Sequence, residues 1–147
     1  MKYYLDVDNN KVGFDMCESE FLRVFEDAKK TYATNKTTVY SIDKEILDLH
    51  FLSNMWFSFT NNSLTGISIG QTEENMNSMA YNVQESFEIY NVALMKKYGK
   101  PNKIKRLFMK LCLWSFDDAI LEHYILDRFG PQEVLTVRLK AFPKRKK

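Results

Sequence analysis

This chain of 147 residues has few of the residues that build common catalytic and metal sites. Its two cysteines, Cys17 and Cys112, are too few for a disulfide framework or a zinc knuckle. Its two histidines, His50 and His123, fall in different predicted elements, and its five glycines are isolated, so the sequence has no phosphate-binding loop. We therefore expect no cofactor and no bound metal, and the sequence favours a non-enzymatic protein.

Long apolar runs are also missing. No run approaches the roughly 20 residues that a helix needs to span a bilayer. Residues 1–6 lack the apolar stretch of a signal peptide, because charged residues follow almost at once. The scarcity of cysteine suits a reducing compartment. We therefore expect a cytoplasmic protein with no membrane partner.

The content of hydrophobic residues is 45%, which is ample for a core and excludes a disordered chain. A length of 147 residues is typical of one domain. The last four residues are all basic and follow Pro143. We expect a single α+β domain over residues 1–143 and a separate basic tail over residues 144–147.

One amphipathic helix is predicted with a clear end. Apolar residues recur every three or four positions and share one face, namely Val83, Phe87, Tyr90, Leu94 and Tyr98. Gly99 can adopt the left-handed conformation that follows a helix, and Pro101 cannot continue one. Asn77 or Ser78 is the predicted cap at its beginning.

The remaining elements are predicted from alternation, turn residues and a second helical stripe. A first helix is predicted over residues 18–33, residues 46–53 fit a helix or a strand equally well, and residues 70–78 resemble a loop. An Asn61-Asn62-Ser63 turn joins two alternating runs into a hairpin. Strands are predicted at residues 2–7, 37–42, 55–60, 64–69, 107–114, 119–126 and 134–141. The predicted fold is α+β, with two helices packed on one face of a curved antiparallel sheet in the order β-α-β-β-β-α-β-β-β.

Charge is segregated along the chain. Residues 43–95 contain seven acids and one base, Lys44, whereas residues 96–110 contain seven bases and no acid. Without the last four residues, the chain has 17 basic and 19 acidic residues, so the predicted folded body carries charges of both signs. Such a body indicates electrostatic steering of a partner protein. The residues that we expect to steer it are Glu73, Glu74, Lys100, Lys103 and Arg106.

Aromatic residues exceed what one face of a small sheet has to bury. Alternation places Trp56 and Phe57 on opposite faces of their strand, so one of them meets solvent, a partner or a second copy of the chain. A homodimer is therefore one of the arrangements left open. We expect Trp56, Trp114 and Tyr124 to anchor a partner protein.

Two other functions remain open on the sequence. The basic residues 96–110, interleaved with Tyr98 and Phe108, and the basic tail suit a nucleic-acid-binding protein. An enzyme with a cleft that the sequence does not show could use Glu122, His123 or Asp117. Cys112 and His123 would lie on neighbouring strands, which allows contact between them, but large apolar neighbours disfavour a Cys112 thiolate.

The C-terminal half resembles a known group of proteins. Over residues 79–142 the order is a helix, Tyr98-Gly99-Lys100-Pro101, a strand with Trp114, the Asp117-Asp118 turn and two further strands. This order resembles small bacterial and phage α+β proteins of the immunity or inhibitor type. The resemblance implies that the chain neutralises another protein, which would be a toxin, a host factor or a phage factor.

Overall fold

The computed structural model describes residues 1–105 and 110–140 and contains ten strands and three helices within them. The strands are β1 (Leu5–Val7), β2 (Asn10–Val12), β3 (Lys29–Ala33), β4 (Thr37–Lys44), β5 (Ser53–Thr60), β6 (Ser63–Gln71), β7 (Lys103–Lys105), β8 (Leu111–Ser115), β9 (Ala119–Asp127) and β10 (Pro131–Leu139). The helices are α1 (Glu18–Val24), α2 (Glu73–Met76) and α3 (Val83–Tyr98).

Eight of these strands form one antiparallel sheet in the order β3-β4-β5-β6-β10-β9-β8-β7, and β1 and β2 form a separate hairpin. The predicted α+β class with a large antiparallel sheet is therefore confirmed. The order of elements differs from the predicted one, because β2, β3 and β7 are additional strands and α2 is an additional helix.

The central strands bury one face of the sheet, and no helix of the described residues packs on the other, which we call the uncovered face. In β5, Met55, Phe57 and Phe59 are buried while Trp56 is exposed. In β9, buried and half-buried residues alternate in the same way, and Leu121 and His123 are among the buried ones. Helices α1 and α3 both contact the buried face. The uncovered face carries mostly Ser, Thr and half-buried apolar side chains, as expected for a face in contact with solvent.

Aromatic rings form much of the core beneath α1. Phe21, which α1 presents to the sheet, lies 4.8 Å from Phe57 and 5.1 Å from Phe59, measured between ring centroids. Tyr40 of β4 lies 5.7 Å from Phe21. Rings at these separations contribute about 0.5–1.5 kcal/mol per pair beyond their buried area. This cluster fixes α1 on β4 and β5.

The boundaries of α3 follow from local chemistry. Asn82 is the N-cap, and its side chain accepts a hydrogen bond from the Glu85 backbone N–H at 3.0 Å. The predicted caps, Asn77 and Ser78, are wrong, because both precede this turn. Gly99 follows the last helical residue, as the sequence predicts, but its φ of +84° and ψ of −165° are not the predicted left-handed helical conformation, although the positive φ still favours glycine.

The predicted helix over residues 18–33 is too long. Helix α1 ends at Val24, and residues from Lys29 onward form β3 on the open edge of β4. The helical stripe continues to Tyr32 only by coincidence, since Tyr32 is exposed. Backbone pairing with β4 outweighs the weak helix propensity of this segment.

Three further predictions need correction or fall outside the described residues. Residues 46–52 form neither the helix nor the strand that the sequence allows: the chain turns at Leu47 and Asp48, which both have a φ of +56°, and the strand begins at Ser53. The predicted loop over residues 70–78 contains α2, which Thr72 caps through its side chain. Residues 107–109 of a predicted strand, which include Phe108, lie outside the described part, as do residues 141–147.

Candidate partner-binding site

A buried polar network joins α3 to the sheet. The imidazole of His123 in β9 is fully buried and stacks on Phe87 with ring centroids 4.0 Å apart. Its Nε2 lies 2.5 Å from Oε2 of Glu133 in β10, and its Nδ1 lies 3.2 Å from Oδ1 of Asn91. Every polar atom of the ring therefore has a partner, as burial requires.

The network continues from Glu133 towards the surface. The Ser86 hydroxyl donates to Oε1 of Glu133 at 2.5 Å and accepts from the Gln71 amide at 3.1 Å. Tyr81 is close to the same carboxylate: burial raises the pKa of Tyr81, the Glu133 charge raises it further, and a hydrogen bond with Ser86 lowers it. A cavity of about 270 Å³, lined in part by Gln71, Tyr81 and Ser86, lies above them.

This network holds the fold together and does not form a hydrolase triad. In such a triad the imidazole takes the proton of the nucleophilic hydroxyl. Here the Glu133 carboxylate lies between Ser86 and His123, so the imidazole does not bond to the serine. Cys112 pairs directly with His123 in the strand register, but both residues are buried. A substrate has no access to either side chain.

Helix α3 has an outward stripe that faces away from the sheet and carries two exposed apolar side chains, Ile89 and Val92, between the charged Glu85 and Lys96. Glu85, Ile89, Val92 and Lys96 recur every three or four residues, opposite the buried Phe87, Tyr90 and Leu94. The side chain of Val92 is 65% exposed, and that of Ile89 is 38% exposed. A surface helix of this size normally buries one apolar face and solvates the other. The outward stripe of α3 therefore indicates a surface that another molecule covers.

The outward stripe forms one wall of a groove. The opposite wall is the loop of residues 45–50, whose buried Ile46 anchors Leu47 and Leu49 beside the helix. We call the surface between Glu85, Ile89 and Val92 on one side and Leu47, Asp48 and Leu49 on the other the α3 trough. Its central part has a volume of about 450 Å³ and opens at the end of α3 into a larger cavity of about 780 Å³.

The trough and its two end cavities are mostly acidic. Six acids line them against two lysines, Lys96 and Lys97; the acids are Asp6, Asp8, Glu45, Asp48, Glu85 and Glu88. Ion pairs join Asp6 to Lys97, Asp8 to Lys44 and Glu88 to Lys110. Within the described part of the chain, no ion pair neutralises Glu45, Asp48 or Glu85. Lys96 also lines the trough and is in no ion pair of the described residues, so three unpaired carboxylates oppose one unpaired lysine and the trough has a net negative rim around an apolar floor.

The structure separates the predicted aromatic anchors. Trp56 and Tyr124 share the uncovered face of the sheet, three strands apart. The register places Trp56 level with Glu122, so Tyr124 lies two residues further along β9 and roughly 16 Å from Trp56. Trp114 is only 2% exposed on the other face, and its indole N–H donates to the Gly99 carbonyl at 2.9 Å. Trp114 is therefore part of the core, and its predicted role as an accessible anchor is wrong.

The predicted steering residues do not form one surface. Glu73 and Glu74 are exposed on α2, near the Asn82 end of α3, whereas Lys100 and Lys103 are exposed beside the edge strand β7. Arg106 lies outside the described residues. Within residues 96–110, Lys97 and Lys110 are engaged in ion pairs with carboxylates. These pairs reduce the positive field that the sequence attributes to this segment.

The residues proposed for an enzyme are also dispersed. Asp117 forms an ion pair with the N-terminal ammonium group at 2.6 Å. Glu122 lies on the uncovered face and bonds to Arg138 at 3.3 Å, while His123 points into the core. His50 is exposed at the larger cavity of the trough. Among residues 1–105 and 110–140, no three His, Cys, Asp or Glu side chains are arranged to hold a metal ion.

Sequence reasoning missed the residues of the trough floor. It assigned α3 one apolar face, and it did not use Ile89 and Val92, which fall on the opposite face. Their spacing of three residues was the available signal, because it places two apolar side chains side by side on the face of the helix that is normally solvated. The loop wall gave no such signal, since residues 46–53 fit a helix or a strand equally well.

Comparisons with protein-family models, curated proteins and solved structures find no match to this chain. None of the helices in the described part is long and apolar enough to cross a bilayer. The class of the protein is therefore given by its geometry alone: an α+β domain with a large antiparallel sheet, a buried polar network and an acidic apolar trough.

Proposed function

We propose that the chain is a non-enzymatic protein-binding module that inhibits or sequesters a partner protein. The observation that carries this proposal is the α3 trough, where exposed apolar side chains coincide with carboxylates that no ion pair neutralises. Exposed apolar surface rimmed by polar groups is typical of protein-binding sites. The resemblance of residues 79–142 to immunity-type and inhibitor-type proteins agrees with this function.

The trough is a better candidate than the uncovered sheet face. Among the described residues of the sheet face, the largely exposed hydrophobic ones are Trp56 and, on the edge strand β3, Tyr32, and the Trp56 indole N–H already donates to Asn54 at 2.7 Å. Ser68 and Thr136 lie between Trp56 and Glu122 on the neighbouring strands, as on an ordinary solvated face. In the trough, Ile89 and Val92 lie together beside Leu47 and Leu49. Four further hydrophobic residues near α2 and α3 are exposed but do not line the trough, namely Leu52, Met76, Met79 and Met95.

Capture of the partner tests this function. The tagged chain is incubated with a lysate of the cells that produce it, at low and at high salt, and bound proteins are identified by mass spectrometry. We expect one protein in a one-to-one complex, with a basic surface and faster association at low salt because of electrostatic steering. Addition of the chain to that purified protein should then abolish the protein's activity.

Two results would contradict the proposal. Recovery of nucleic acid, with affinity that falls steeply as salt rises and with residues 144–147 required, would support the nucleic-acid function through residues 96–110. Capture of no protein at either salt concentration would contradict the proposal that the trough binds a partner protein. A captured protein whose activity the chain does not change would exclude inhibition and leave sequestration alone.

A further inference from the structure

We infer that the α3 trough binds a single basic amphipathic helix of the partner protein. This inference rests on the proposed function and specifies the chemistry of the partner and the form in which it binds. It is drawn from the length of the trough, from the groups that its walls offer and from the charge of its rim.

The trough follows α3 along its whole length. The cavity above Ser86 and the central groove share Glu85 and Ile89, and the central groove and the larger cavity share Ala93 and Lys96. Helix α3 has 16 residues, which corresponds to a length of about 24 Å. A surface that is long, narrow and continuous fits one segment of a partner better than a broad, flat epitope.

The walls of the trough favour a helical segment over an extended one. An extended segment gains most of its affinity from hydrogen bonds with a free strand edge. The edges of the large sheet are β3 and β7, and neither of them lines the trough. The separate hairpin contributes Leu5 and Asp6 of the three-residue strand β1 to the larger cavity, which is too short an edge for strand addition along the trough. The backbone of α3 is hydrogen-bonded within the helix, so this wall offers only side chains. A partner helix, whose own backbone is satisfied internally, can bind through side chains alone.

The charge of the rim specifies a basic segment. Glu85 lies near one end of the trough, Asp48 in the middle and Glu45 at the other end, and all three are exposed. Lysine or arginine side chains that flank an apolar stripe could reach these carboxylates while leucine-type side chains contact Ile89 and Val92. An acidic segment would meet like charges along the same path, which disfavours its binding.

A peptide pair tests the inference directly. The probes are a 16-residue amphipathic helix made of leucine and lysine and the same peptide with glutamate in place of lysine. Binding is followed by NMR on the isotope-labelled full chain. We expect the lysine peptide to shift the amide signals of Asp48, Glu85, Ile89 and Val92, and we expect the glutamate peptide to cause no shift. Shifts confined to Trp56, Ser68 and Tyr124, or no shift with either peptide, would overturn the inference.

A charge-neutral variant provides the second readout. Glu45→Gln/Asp48→Asn/Glu85→Gln removes the three rim charges; asparagine also tolerates the positive φ at position 48. The matched control is Asp15→Asn/Glu20→Gln/Glu26→Gln, which changes the net charge equally at exposed positions outside the trough. We expect the rim variant to bind the lysine peptide about tenfold more weakly at low salt and the control less than about twofold more weakly. Equal weakening in both variants would contradict a defined site.

The inference and the proposed function can fail separately. If the captured partner binds the rim variant as tightly as the native chain, the partner uses another surface, and the inference falls while the proposed function stands. If the lysine peptide binds in the trough but no partner protein is captured, the proposed function falls while the trough remains a binding site for basic helices.

Discussion

Replacement of His123 by alanine should lower the free energy of unfolding by about 3 kcal/mol. The substitution removes a ring that stacks on Phe87 and leaves a cavity between α3 and β9. It also removes the hydrogen-bond partner of Glu133 Oε2 and of Asn91 Oδ1, both of which are largely buried. The loss of two bonds in a buried network therefore adds to the loss of packing. Denaturation in urea, followed by circular dichroism, measures the change.

The control is the neighbouring position on the same strand. Tyr124 lies on the uncovered face, so Tyr124→Ala should cost about 1 kcal/mol or less. The His123→Ala/Glu133→Ala double variant should show a coupling energy of about 1–3 kcal/mol, because the two residues share one bond. If the single effects simply add, or if His123→Ala is as mild as Tyr124→Ala, the network does not stabilise the fold in the way described.

The two tryptophans should respond very differently to the same substitution. Trp114→Ala should destabilise the fold by about 4 kcal/mol, because it empties a large core site and leaves the Gly99 carbonyl without its indole partner. Trp56→Ala should cost about 1 kcal/mol or less, because its ring is 44% exposed on the uncovered face. Thermal unfolding of both variants under identical conditions gives the comparison.

The Trp56→Ala variant also tests which surface binds the partner. The trough and the uncovered sheet face lie on opposite sides of the sheet, so Trp56→Ala should leave partner affinity unchanged. Trp114→Phe retains most of the ring and serves as a folded control for the core site. Similar stability losses in Trp114→Ala and Trp56→Ala would show that the burial assigned to these side chains is wrong.

Much of the sheet could be predicted because its signals are local. The alternation of Met55, Phe57 and Phe59 with Trp56 fixes the strand and its two faces, and Asn61 and Asn62 supply the positive φ values of a tight hairpin turn. Strand β3 could not be predicted in this way. Its residues are all exposed, and only the open edge of β4 makes them a strand.

The polar network and the trough were harder to predict for a related reason. Asn91 appeared in the sequence as a polar residue off the apolar stripe, yet it is buried because His123 faces it from a strand more than thirty residues away. Likewise, Leu47 and Leu49 become a wall only after the chain turns at two residues of positive φ. Partners that are distant in the sequence decide the role of each of these residues.

The affinity of the captured partner for two lysine variants tests the central claim most directly. Val92→Lys places a cation on the floor of the trough, and Ser68→Lys places the same cation beside Trp56 on the uncovered face. Both positions are exposed, so circular dichroism should show both variants folded. The account predicts that Val92→Lys weakens binding by about thirtyfold or more, as for the loss of a hot-spot residue, and that Ser68→Lys changes it by less than about twofold. Unchanged binding by Val92→Lys together with lost binding by Ser68→Lys would contradict the account and assign the partner to the sheet face.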